Sequence, residues 1–166
     1  PMYEKYNAAL RFFSGALKYA SRAEVPFLQQ KCEKLSLGVW KEGTDGSISW
    51  EWQNTYATTI HAINSCVLKL SKLTVACKVW RGFTGASLPA SFFQANPEGI
   101  RGGIEYGFSS TTIDRTQALH YADGKASTVF EMQMGMIDRG CELGWISQYP
   151  HEAECLFAPL TGLEVQ

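Results

Sequence analysis

The sequence has no run of about eighteen apolar residues, so a transmembrane helix is not expected. It opens Pro1-Met2-Tyr3-Glu4-Lys5 with no basic region leading into an apolar stretch, and so shows no signal peptide. An excess of positive charge is also missing. Lys and Arg number 15 against 16 Asp and Glu, a net charge of -1, which argues against a dedicated nucleic-acid binder and gives no reason to expect a membrane partner. The five cysteines are odd in number, none forms a CxxC pair and none lies near a histidine at zinc-finger spacing. They read as reduced core thiols, which favours a reducing, cytoplasmic compartment, with one disulfide pair as the alternative. Repeats and low-complexity segments are absent as well. Proline at position 1 suggests a piece of a larger multidomain protein.

What is present suits one compact domain: 166 residues, 45% hydrophobic and 13% aromatic, enough apolar surface for a core. The charge is unevenly spread. Residues 1–75 carry nine Lys/Arg and six Asp/Glu, whereas 76–166 carry six and ten. An acidic pocket would favour a cationic acceptor, and a solvated acidic surface explains the same count.

Two textures divide the chain. Tyr6, Leu10, Phe13, Leu17 and Ala20 recur at three- and four-residue spacing and predict a helix over 3–20, with a second helical stretch around 25–36. A turn-rich Lys41-Glu42-Gly43-Thr44-Asp45-Gly46 follows, then Tyr56, Ile60, Ile63, Val67 and Leu70 repeat the helical pattern over about 52–72. Residues 1–73 therefore read as helical. Beyond Leu73 the runs turn short, β-branched and aromatic: 74–80, 103–110, 127–134, 142–146, 155–157 and 163–165 predict strands. One helix interrupts them, from Asp114 with Gln117 in a capping-box-like start to the stop at Gly124. Helices first and strands afterwards, without βαβ alternation, predict an α+β fold.

Three places in the strand half exceed what folding requires. In Val79-Trp80-Arg81-Gly82 a cation ends an apolar strand; it either reaches solvent along its stem or grips an anion in a bidentate fork, and the glycine would let a ligand approach the backbone. In Phe108-Ser109-Ser110-Thr111-Thr112 four hydroxyls stand where a strand meets a capped helix, and one cap needs only one of them. In Glu152-Ala153-Glu154 two carboxylates open an apolar strand; period-two geometry would put both on one side, about 7 Å apart at Cα. Such a pair repels unless a cation or donors intervene. It could divide labour between a positively charged sugar and an acceptor, or form a solvated acidic strand end.

In this order the three segments resemble the R-S-E class of mono-ADP-ribosyltransferases, the group that contains cholera-toxin-like and arginine-specific enzymes. That family carries an arginine ending its first core strand, an aromatic-x-Ser-Thr-Ser segment on the next, and Glu-x-Glu before a late apolar strand. Thr112 stands where Ser is usual and keeps the hydroxyl. The resemblance spans about residues 74–166 and extends to Leu88-Pro89-Ala90-Ser91-Phe92-Phe93, to Asp114-Arg115 with Ala118 and Tyr121, and to Leu156-Phe157-Ala158-Pro159-Leu160-Thr161. It implies a core of two packed, mixed β-sheets over 74–166 that binds NAD, preceded by a helical region over 1–73.

The resemblance also implies roles. Arg81 would bind the NAD phosphates and ribose side, with Gly82 near the nicotinamide amide. Ser110 would hold Glu154, while Thr111 and Thr112 support the pocket. Glu154 would hydrogen-bond the nicotinamide ribose and stabilise its positive charge. Glu152 would receive the acceptor guanidinium, so a protein arginine is the expected partner. Phe92 or Phe93 would stack on the cofactor, and Tyr149 lies on the turn that recognises the acceptor. No metal is required, because the charged pyridinium departs neutral and one carboxylate beneath the sugar is the main need. His120-Tyr121 suggests the His-Tyr-Glu branch of these enzymes, but there the histidine sits on the first core strand, where this chain has Arg81. His61 and His151 lack a Cys or Asp partner at triad-like spacing. Two rivals remain: an NAD glycohydrolase, and an inactive module of the same fold that binds NAD or a partner.

Overall fold

The computed structural model describes residues 2–13, 25–85, 87–124 and 127–166. They fall into two compact units, Pro1–Ala62 and Ile63–Gln166. The division lies inside a helix, earlier than the change of texture at Leu73.

In the first unit, α1 (Met2–Phe13) buries Asn7 and Ala9, and α2 (Val25–Lys34) follows. Leu17 and Ala20 of the expected first helix lie outside the described residues. The helical reading of 1–73 needs a correction here. Residues 38–52 form an antiparallel hairpin, β1 (Gly38–Glu42) and β2 (Ile48–Trp52), with Gly38 opposite Trp52 and Glu42 opposite Ile48. Its turn explains why: Asp45 Oδ1 accepts from the Ser47 amide at 3.0 Å, and Gly46 takes a φ of 77°. Ile48-Ser49-Trp50-Glu51-Trp52 alternates large and polar residues, a strand pattern around a Gly/Asp turn. Phe12 meets Trp52 edge-on at 4.8 Å. Helix α3 (Ala57–Leu70) starts later than the expected 52 and continues as a 3-10 turn, Ser71–Leu73.

The second unit carries a five-stranded sheet, in the order β6-β3-β5-β8-β7, and a two-stranded sheet, β4-β9. The strands are β3 (Lys78–Thr84), β4 (Gly102–Glu105), β5 (Ser109–Thr112), β6 (Ser127–Gln133), β7 (Cys141–Glu142), β8 (Glu154–Phe157) and β9 (Thr161–Glu164). This is the α+β architecture expected. Every pairing among the described strands is antiparallel, so the sheets are not mixed. The expected strand over 103–110 is two strands in different sheets, parted where Glu105 Oε1 turns back to accept the Gly107 amide at 2.9 Å. The expected strand over 142–146 stops at Glu142, because Ile146 donates to the Leu143 carbonyl and closes a turn.

Val79, Met134 and Cys155 form the core of this unit, with Ala76, Cys77, Met132 and Phe157 packed around them. Phe92, on the 3-10 turn Ala90–Phe93, joins the two sheets: its ring stacks on Phe130 of β6 and lies 3.1 Å from where a Cβ would stand at Gly103 on β4. Among the described residues no helix is long and apolar enough to cross a membrane.

Candidate active site

Strand β5 organises the site. Its side chains alternate, so Ser109 and Thr111 leave one face and Ser110 and Thr112 the other. Ser109 and Thr111 are buried; Ser110 is exposed. The antiparallel register sets Thr112 opposite Glu154 and Ser110 opposite Leu156. Ser110 is thus the diagonal neighbour of Glu154, within reach of a long side chain. Its Oγ donates to Glu154 Oε1 at 2.6 Å. A carboxylate has more lone pairs than one hydroxyl consumes, so this contact orients Glu154 and leaves it able to accept from a ligand.

Glu152 is not on the strand. It ends a 3-10 turn, Pro150–Glu152, and Ala153 then adopts a left-handed conformation, φ 44° and ψ 47°, before β8 starts at Glu154. The expected period-two relation of the two carboxylates therefore does not hold, because a residue with positive φ reverses the strand geometry between them. Other contacts fix Glu152. Its backbone carbonyl accepts Thr112 Oγ1 at 2.7 Å, its amide donates to the Tyr149 carbonyl at 3.0 Å, and its Oε1 accepts the Tyr121 hydroxyl at 2.7 Å. Thr111 Oγ1 donates to the Cys155 carbonyl at 2.6 Å. Both threonines thus latch β8 and the segment before it to β5 through backbone oxygens.

Arg81 lies on β3 opposite Phe130 of β6, and its Nη1 donates to Ser109 Oγ. Ser109 and Ser110 are adjacent, so the chain joins Arg81 and Glu154 to neighbouring hydroxyls that leave β5 on opposite faces. Gly82 lies against a helix. A Cβ there would stand 1.9 Å from the Ala118 carbonyl oxygen of α4 (Arg115–Tyr121), so its missing side chain makes room for that helix. Asp114 caps α4 by accepting from the Thr116 amide, and Thr84 Oγ1 donates to the Tyr121 carbonyl at its other end.

Of the two phenylalanines, Phe92 is taken up between the sheets, while Phe93 is 54% exposed with its ring edge-on to Phe92 at 5.6 Å. Tyr149 is exposed and meets His151 at 6.1 Å. His120 is an exposed residue of α4. No group of three or more His, Cys, Asp or Glu that could hold a metal occurs among the described residues. A cleft of about 940 Å³ runs past Gly103, Ile104, Arg139 and Leu163 and includes none of the residues predicted for the site. Ser110, Glu152 and Glu154 remain the candidate site, each carboxylate accepting from a hydroxyl of its own, Glu154 from Ser110 and Glu152 from Tyr121.

Sequence reasoning missed two contacts. Ser109, the grip on Arg81, was open to discovery by alternation along β5. Tyr121 belongs to the resemblance, but its contact with Glu152 had no local signal, since 31 positions separate the partners.

No family model matches the sequence, and no curated protein does. Among solved structures the chain is similar to Exoenzyme S from Pseudomonas aeruginosa, in a trimeric crystal form with human 14-3-3 protein beta and bound to carba-NAD. The TM-score is 0.50 at 18% identity, over 96% of this chain and 78% of that one. The likeness is one of fold.

Proposed function

We propose that this chain is an R-S-E mono-ADP-ribosyltransferase that moves ADP-ribose from NAD to the side chain of arginine. The observation that carries the reading is the Ser110–Glu154 hydrogen bond beside a separately anchored Glu152, on a fold of this kind.

The residues present suit NAD as substrate. Arg81 offers a planar cation for the phosphates, Phe93 an exposed aromatic face, and Gly82 its backbone near the nicotinamide amide. Glu154, oriented by Ser110, stabilises the positive charge that develops on the ribose as the bond between C1′ and the pyridinium nitrogen breaks. The electron pair of that bond returns to the ring, and nicotinamide leaves neutral without a general acid. Glu152 binds the acceptor guanidinium and holds one nitrogen towards C1′, so that a new C–N bond forms there. The proton lost by that nitrogen passes to Glu152 and then to water. Tyr149 borders the acceptor, and Thr111 and Thr112 hold the glutamate segment in place.

Incubation with NAD and agmatine, followed by mass spectrometry, tests the reading. Free nicotinamide and ADP-ribosyl-agmatine are expected. No nicotinamide release at all would sink the enzyme reading, and release without an agmatine adduct would favour a glycohydrolase. Glu154→Ala is expected to abolish both transfer and hydrolysis, whereas Glu152→Ala loses mainly transfer. If both variants hydrolysed NAD as the wild type does, the division of roles would be wrong.

A further inference from the structure

Glu152 stands on a backbone that does not by itself aim its carboxylate. It ends a 3-10 turn, precedes a left-handed residue and is only half-buried, so its side chain has rotameric freedom. Among the described residues its carboxylate accepts a 2.7 Å hydrogen bond from the hydroxyl of Tyr121. Tyr121 is itself firmly placed. Its helix α4 is capped by Asp114, whose own amide donates to Thr112 Oγ1 at 2.9 Å. At the far end Thr84 Oγ1 donates to the backbone carbonyl of Tyr121 at 3.0 Å. Between these points Ala118 packs into the space over Gly82.

Resting on the proposed function, we propose that Tyr121 is the positioning residue for the acceptor: its hydroxyl holds Glu152 Oε1, so that the carboxylate meets the incoming guanidinium in one orientation. In return, the bond to Glu152 raises the tyrosine's own ionisation above its ordinary range, with burial and the Glu152 charge adding to it. Gln117 and, more weakly, Glu154 are the other groups facing this hydroxyl.

Tyr121 donates to Glu152, whereas Ser110 donates to Glu154. Loss of the tyrosine hydroxyl should therefore weigh on transfer more than on nicotinamide release.

The test is kinetic and uses Tyr121→Phe, which keeps the ring and removes only the hydroxyl. We expect kcat/KM for agmatine to fall about tenfold, the size of a lost hydrogen bond to a charged group. The ratio of adduct to nicotinamide should fall with it, and the KM for NAD should move less than about twofold. In a Glu152→Gln background the same substitution should cost less than about twofold, because the carboxylate it positions is gone. Equal losses of transfer and release, or an equal cost in both backgrounds, would overturn the proposal and leave arginine transfer standing. A wild type that makes no agmatine adduct would overturn the proposed function and this proposal with it. The contact can be read without turnover: Tyr121, isolated as the difference between wild type and Tyr121→Phe in ultraviolet titration, should ionise at higher pH with Glu152 present than with Gln. Coincident curves would overturn the proposal whatever the activity.

Discussion

Ser110 Oγ and Glu154 Oε1 lie 2.6 Å apart across the β5–β8 ladder, joined diagonally to the register in which Thr112 faces Glu154. The hydroxyl holds the carboxylate in one orientation. Ser110→Ala should therefore leave the fold intact, since Ser110 is exposed, and slow nicotinamide release. A hydrogen bond to a charged group is worth about 1.5–3 kcal/mol, or a fall of about tenfold to a hundredfold in kcat. Single-turnover release of nicotinamide measures it, and an unchanged rate would remove Ser110 from the machinery.

Gly82 makes a prediction of a different kind, about stability. A methyl group there would overlap the Ala118 carbonyl, which belongs to helix backbone and cannot rotate aside. Gly82→Ala should lower stability by about 1–3 kcal/mol, the usual cost of overpacking. The displaced helix would also carry Tyr121 away from Glu152. A thermal melt of the variant checks the first effect, and an unaltered midpoint would mean that α4 does not lie over Gly82.

These two residues show what was legible in the sequence and what was not. Ser110, Glu152 and Glu154 stood out because their chemical types cluster locally, and the α+β order could be read from periodicity. The neighbour of Gly82 could not be read, since glycine signals a close approach without naming what approaches. Period two failed between Glu152 and Glu154 because Ala153 takes a left-handed conformation that alanine rarely adopts and that no residue type there announces. The hairpin at 38–52 was hidden by its setting between amphipathic helices, although its turn residues were seen.

The cysteines read as core thiols in the sequence, and for Cys32, Cys141 and Cys155 the structure agrees, whereas Cys66 is exposed on α3. Burial, with the Cys77 thiol close by, pushes the Cys155 thiol from 9.0 up to about 12. The folded chain thus holds this proton more tightly than the unfolded one. The stability it contributes is fully present below pH 9.0 and is lost as pH rises towards about 12. At pH 8 Cys155 is held as the thiol, whereas the thiolate is the reactive form. Iodoacetamide at that pH should label Cys66 within the native protein and reach Cys155 only after denaturation. Peptide mass mapping decides it, and labelling of Cys155 at the rate of Cys66 would contradict the buried placement.

Arg81 and Ser109 supply a prediction about NAD itself. The guanidinium is a planar fork, and Nη1 is held by the buried hydroxyl of Ser109, which fixes the plane in which the other donors lie. A lysine would keep the charge and lose that plane. If the fork meets the NAD phosphates in a bidentate way, Arg81→Lys should weaken binding at least about tenfold, because a point charge replaces two aligned hydrogen bonds. Ser109→Ala should act in the same direction and less, about threefold, since the charge and the fork both remain and only the tether is lost. Calorimetric titration with carba-NAD, whose glycosidic linkage is not cleaved, separates this binding effect from the chemistry. Equal affinity for wild type and Arg81→Lys would return Arg81 to the other reading open to a strand-end cation, a stem laid along the sheet with its head in water.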